Sequence, residues 1–106
     1  MQVDFFINTE DGFIKFNSQD IHYIQSLGKK SKVTTVLGSF IISSTLGKLE
    51  REILPSGVFC RVHRSYIVSL DTINAFDLDN VQVNGVKIPF EKAYRGRLLS
   101  SVRILW

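Results

Sequence analysis

Three short stretches of this chain crowd hydrogen-bond donors together: Lys29-Lys30-Ser31-Lys32, Arg61-Val62-His63-Arg64-Ser65, and Lys92 with Arg95. Ammonium and guanidinium groups at this density suit oxyanions. The planar fork of arginine matches either a phosphate or the O6 and N7 atoms of guanine. A turn that projects Lys29, Lys30 and Lys32 can set ammonium groups on phosphates and bring Ser31 to a base edge. In an extended segment Arg61 and His63 share one face, and Arg64 opens the following turn with Ser65 as a further phosphate donor. Lys92, Arg95 and Arg97 stand at the start of a final helix, where orphan N–H groups favour anions. Plainer roles compete at each place. Lysines are common at solvated hairpin tips, Arg61 to Arg64 can cap backbone or pair with Asp71 or Asp77, and Arg97 suits an exposed helix face.

The distribution of charge separates these readings better than the net value of +3 does. No acid lies between Asp20 and Glu50, where Lys29, Lys30, Lys32 and Lys48 fall, and none between Glu52 and Asp71, where Arg61, His63 and Arg64 fall. The C-terminal stretch sets Lys87, Lys92, Arg95, Arg97 and Arg103 against Glu91 alone. The first twenty residues are acidic, with Asp4, Glu10, Asp11 and Asp20 against Lys15. Positive charge in three blocks is what a face for a polyanion requires.

Other chemistry is scarce. There is no glycine-rich phosphate loop and no nucleophile elbow. Cys60-x-x-His63 is the one spacing that hints at metal, and zinc needs three or four ligands. As a nucleophile pair these two are badly placed, because residues three apart on a strand point to opposite faces. Neither catalysis, a metal nor a cofactor is expected. With Cys60 alone no internal disulfide is possible, and a buried, reduced thiol is expected. No apolar run reaches the roughly 20 residues of a membrane span. Met1-Gln2-Val3-Asp4 lacks the positive start and apolar run of a signal peptide. A soluble cytoplasmic protein without membrane contact is expected.

The elements that must position the donors are mostly short strands. One domain is expected to fill residues 1–106, a length that can bury a core unaided. Phe5-Phe6-Ile7 and Phe13 to Phe16 flank the turn Glu10-Asp11-Gly12. Ile21 to Leu27, Lys32 to Leu37 and Phe40 to Ile42 are rich in β-branched and aromatic residues and read as an antiparallel meander. A helix over about 45–54 is capped by Ser44 or Thr45, carries Leu46, Leu49 and Ile53 on one face, and ends at Pro55 and Gly57. Strands resume from Val58 to Leu70 and from Ile73 to Leu78. Asn84-Gly85 between two β runs marks a hairpin, since both residues tolerate positive φ. A C-terminal helix over about 92–102 follows, with Leu98, Leu99 and Val102 as its apolar stripe.

These strings together resemble the LytTR family of DNA-binding domains. The resemblance rests on Ile21-x-Tyr23-Ile24 before a polar turn, on Leu46-x-x-Leu49-Glu50 in the short helix, and above all on Phe59-x-Arg61-Val62-His63-Arg64-Ser65-Tyr66-Ile67-Val68-x-Leu70-x-x-Ile73. It closes with Asn84-Gly85, Ile88-Pro89 and Tyr94, and covers about residues 3–102. It implies an elongated, mostly β fold of small antiparallel sheets, and DNA binding by loops that enter successive major grooves. Ser31, Arg64 and the segment at Lys92 and Ala93 match the family's base-contacting positions. Lys29, Lys30, Lys32, Arg61 and Lys92 are then expected on phosphates, with Arg64 as the chief base reader and Ser31 and His63 behind it. Family members usually sit behind a phosphoacceptor receiver domain in two-component systems and bind repeated promoter half-sites as dimers; no receiver is legible in this chain. The sequence departs from the family at Ser69, where Asn is common, and at Glu91-Lys92-Ala93, where Ser and basic residues are common. The competing reading is a protein-interaction module that pairs through an exposed β edge.

Overall fold

The structure is a computed structural model and describes residues 3–106; Met1 and Gln2, which begin the segment read for a signal peptide, lie outside the described residues. Ten strands and two short helices form it, with extents of 46 × 26 × 25 Å, which is the elongated shape the resemblance implies.

Alternation and turn chemistry account for most of the strands. β1 (Asp4–Thr9) and β2 (Gly12–Asn17) make a separate hairpin. The meander runs through β3 (Ile21–Leu27), β4 (Lys30–Thr35) and β5 (Gly38–Ile42). β6 (Phe59–His63) and β7 (Tyr66–Ser69) complete a five-stranded sheet in the order β5-β4-β3-β7-β6. A third sheet contains β8 (Ile73–Phe76), β9 (Asn80–Val83) and β10 (Val86–Pro89). Its hairpin turns at Asn84 and Gly85, with φ of 48° and 79°, as the Asn-Gly pair requires.

The five-stranded sheet is a wall between two apolar clusters. On one side Ile24, Val33, Phe59 and Ile67 meet Ile7 and Phe16 of the first hairpin and Leu46 and Leu49 of the helix. On the other side Cys60 and Val68 meet Val81, Val83 and Ile88 of the third sheet and Leu98. A fully buried aliphatic side chain is worth about 1.5–3 kcal/mol, so each cluster alone contributes strongly to stability.

Both helices differ in detail from their sequence patterns. α1 (Leu46–Lys48) is capped by Thr45, whose hydroxyl accepts the N–H of Lys48 at 3.2 Å, and it widens at once into a π turn over Leu49–Ile53. The N–H of Leu54 bonds to the carbonyl of Leu49 at 2.8 Å. This wider i→i+5 turn rotates Ile53 off the buried stripe into solvent and lets Leu54 pack instead. The C-terminal helix opens as a 3₁₀ turn over Lys92–Tyr94 and becomes α-helical only in α2 (Arg95–Ser101). Leu98 is fully buried and Val102 packs behind it one turn on, while the adjacent Leu99 points outward.

Candidate nucleic-acid interface

Strand register brings the three basic blocks to one end of the molecule. Gln25 of β3 pairs with Tyr66 of β7, and the N–H of Ser26 donates to the carbonyl of Ser65 at 2.9 Å. The β3–β4 turn at Gly28-Lys29 and the β6–β7 turn at Arg64-Ser65 therefore project from the same edge of the wall. The segment after β10 joins them through Glu91. Its N–H donates to the carbonyl of Val62 at 2.8 Å, and its Oε1 accepts the N–H of Arg64 at 3.0 Å.

In the first loop, alternation along β4 decides which side chains are presented. Lys30 and Lys32 point away from the first apolar cluster, and Lys29 and Lys30 are exposed. Ser31 faces inward, is fully buried, and donates its hydroxyl to the carbonyl of Ser44 at 2.6 Å. This corrects the expectation that Ser31 reaches a base edge, because its one donor is spent on the segment before α1. None of Lys29, Lys30, Lys32 and Lys92 belongs to an ion pair among the described residues.

In the second loop a β-bulge between Arg61 and His63 changes the facing of both. Arg61 pairs with Ile67 but His63 pairs with Tyr66, the next residue back, so the two side chains fall on opposite faces of the sheet. The expectation of a shared face holds for a regular strand, and the extra residue of the bulge cancels it. The same shift returns Cys60 and His63 to one face. The Cys60 thiol is buried there, donates to the carbonyl of Arg61 at 3.5 Å, and has its pKa pushed up to about 11 by that burial.

Arg61 also departs from its expected place on a phosphate. Its side chain is only 17% exposed and its charge faces Glu50 at 3.5 Å. Its Nε donates to the carbonyl of His63 at 3.3 Å, and its Nη2 donates to the carbonyl of Arg64. The guanidinium buckles the second loop from behind. Glu50 also accepts from Arg97 at 2.8 Å. Tyr94 lies under both guanidinium groups, with its ring centre 5.8 Å from Arg61 and 5.1 Å from Arg97, in cation–π geometry.

His63 is held on three sides. Its Nδ1 accepts the N–H of Ser65 at 3.0 Å, its Nε2 lies 3.7 Å from Glu91 Oε2, and its ring meets Tyr66 edge-on at 5.7 Å. Arg64 is the projecting group of this loop, with 79% of its side chain exposed and Nε 3.6 Å from Glu91 Oε2.

In the third segment Lys92 and Ala93 are exposed. Arg95 turns back instead, with its Nη2 3.8 Å from Asp79 and its Nε buried without a hydrogen-bond partner. Across the wall the pairs Lys32↔Gln25, Gln25↔Tyr66 and Tyr66↔His63 place four side chains in one row on one face. Sequence reasoning passed over Gln25 and Tyr66, and it considered Asp71 and Asp77 as partners where Glu50 and Glu91 serve.

The arrangement presents Lys29, Lys30, Lys32, Arg64 and Lys92 from three joined loops, and the sequence profile described as "LytTr DNA-binding domain" matches residues 11–100. The chain belongs to the LytTR family of DNA-binding domains. The sensory transduction protein LytT of Bacillus anthracis is 30% identical over 101 residues, covering 90% of this chain and 41% of that protein. The CO-responsive transcriptional regulator RcoM of Rhodospirillum rubrum is 43% identical over 54 residues, or 51% of this chain and 22% of that protein. The LytTR chain thus spans about two fifths or less of the length of these relatives. A solved LytTr DNA-binding domain of a putative methyl-accepting/DNA response regulator from Bacillus cereus shares the fold, with a TM-score of 0.78, 24% identity, and coverage of 92% of this chain and 94% of that one. The mostly β architecture of small antiparallel sheets is that of the solved LytTr domain, and the family to which this chain belongs is one of DNA-binding domains. Among the described residues no three His, Cys, Asp or Glu side chains cluster as a metal site, and no helix is long and apolar enough to cross a membrane.

Proposed function

We propose that this domain binds double-stranded DNA sequence-specifically, with its three loops in the major groove, as the output domain of a bacterial two-component regulator. The convergence of three separate basic blocks on one end of the wall carries this reading. Lys29, Lys30, Lys32 and Lys92 hold phosphates and set the register. Arg64 reads guanine with its fork, since it projects furthest of the second-loop side chains and its neighbours are committed to the fold. Ser65 contributes its hydroxyl to a phosphate beside Arg64. His63, Arg61 and Arg95 act behind the surface, holding the loops. Two copies occupy repeated half-sites in a promoter, and a receiver domain elsewhere in the full regulator governs them, in the bacterial cytoplasm where the DNA lies.

The deciding experiment is selection from a random duplex pool, followed by a salt titration on the enriched sequence. An enriched motif repeated at about one helical turn, ~10 bp, supports the regulator reading. A steep salt dependence without any motif leaves a phosphate binder without readout. Absence of binding at low salt overturns the reading and turns the search to protein partners for the free edge of β5.

A further inference from the structure

Glu91 is an acid in the middle of a surface otherwise built for a polyanion. A carboxylate there repels phosphate, so its presence needs a physical reason. Its geometry supplies one, because both carboxylate oxygens face the second loop. Oε1 accepts the backbone N–H of Arg64 at 3.0 Å, and Oε2 lies 3.6 Å from Arg64 Nε and 3.7 Å from His63 Nε2. Its own N–H ties the third segment to Val62 at 2.8 Å.

We infer that Glu91 is a specificity-determining positioning residue of the DNA-reading end, aiming the Arg64 guanidinium at its base. This rests on the reading of Arg64 as the base-contacting group. A guanidinium has five N–H donors. With the Nε side turned to Glu91, the two terminal amino groups remain free as an end-on fork for guanine O6 and N7. A long, exposed side chain loses rotamer freedom when it meets a base, and one already held by a carboxylate loses less. The carboxylate thus gives up some general attraction for DNA and in return favours one orientation of Arg64. His63 completes the arrangement. Its Nδ1 accepts from Ser65, so the proton of the neutral ring sits on Nε2 and faces the same carboxylate oxygen.

The test compares the wild-type domain with Glu91→Ala, Glu91→Gln, Arg64→Ala and the Arg64→Ala/Glu91→Ala double variant. The readouts are affinity for the selected duplex, affinity for the same duplex with the Arg64-contacted guanine replaced, the salt slope, and Tm. Glu91→Ala is expected to lower the preference for the correct base by about tenfold, a size within reach of one bidentate contact. Its affinity for the altered duplex is expected to be unchanged or tighter. Glu91→Gln, which keeps an oxygen for the N–H of Arg64, is expected to fall between wild type and Glu91→Ala. The double variant is expected to discriminate no worse than Arg64→Ala alone, a coupling that a loss of fold would not produce. A preserved base preference in both Glu91 variants overturns this inference and leaves the DNA reading intact. A wild-type domain that binds no duplex overturns both.

Discussion

The hydroxyl of Ser31 donates to the carbonyl of Ser44 at 2.6 Å, joining the start of β4 to the segment that leads into α1. Ser31 is fully buried and Ser44 partly so, and Ser31→Ala takes this donor away from a part-buried carbonyl. The expected cost is about 1 kcal/mol of folding stability, the usual net worth of one hydrogen bond. DNA affinity is expected to stay within about twofold of wild type, well below the tenfold of a 1.4 kcal/mol contact. Urea unfolding and a binding isotherm on the same preparation check both halves.

Arg61 serves two carbonyls and one carboxylate at once. Arg61→Ala is expected to destabilise the domain by roughly 1–3 kcal/mol, the range for stranding such partners. Arg61→Lys is expected to rescue little, because a point ammonium cannot replace a fork that spans all three. Chemical denaturation of the two variants measures this. A lysine variant of wild-type stability would show that the charge matters and the fork does not.

The exposed lysines should behave in the opposite way. Lys30→Ala and Lys92→Ala are expected to change stability by less than about 0.5 kcal/mol, as exposed substitutions usually do. Each should weaken every DNA sequence alike and reduce the slope of log affinity against log salt by about 0.9. Arg64→Ala, by contrast, should flatten base preference. Salt titrations on matched and mismatched duplexes separate the two kinds of residue.

The Cys60 thiol is held neutral, its pKa raised to about 11 chiefly by burial, so the folded state retains the proton to higher pH than the unfolded chain does. Stability contributed through this group is complete below the ordinary thiol range and is lost as pH rises toward about 11. At neutral pH the folded domain should resist thiol-alkylating reagents and react only as it unfolds. Alkylation rates across a urea gradient test this, and rapid labelling in native buffer would contradict it.

Acid acts on a different group, in the turn between β8 and β9. Asp77 accepts the N–H groups of Asp79 and Asn80 at 2.8 Å each, and these bonds hold its pKa below the ordinary carboxylate value. The ionised form is the one the folded turn prefers. Its contribution is present above the ordinary value and is lost as pH falls through the depressed one. A side-chain NMR titration should place the Asp77 midpoint below that of a model peptide, and Asp77→Asn should flatten the acid limb of the stability curve.

Much of the fold was legible because the signals that encode it are local. Asn84-Gly85, Glu10-Asp11-Gly12 and the β-branched run at Val33 to Thr35 each settle their own conformation, whereas Val36 and Leu37, expected in the same strand, form the turn into β5. The three basic blocks were legible for the same reason. What escaped depends on partners distant in sequence or on backbone irregularity. Glu91 lies 27 residues from Arg64, and Glu50 lies 47 residues from Arg97. Nothing local pairs either acid with its arginine. The bulge after Arg61 and the π turn after Lys48 each add backbone that a regular period does not count, and so Arg61, His63 and Ile53 face other ways than their spacing suggests. Ser31 turned out to be a matter of parity: once β4 begins at Lys30, every second residue belongs to the interior.

Tyr23 and Ile24 are neighbours in β3, yet one packs into each apolar cluster. Neither cluster can melt alone without stripping one side of a strand the other still needs. The domain should therefore unfold in a single step, with no half-molten species that keeps one cluster, and the slowest-exchanging amides should lie along β3 and β7 rather than in either outer sheet.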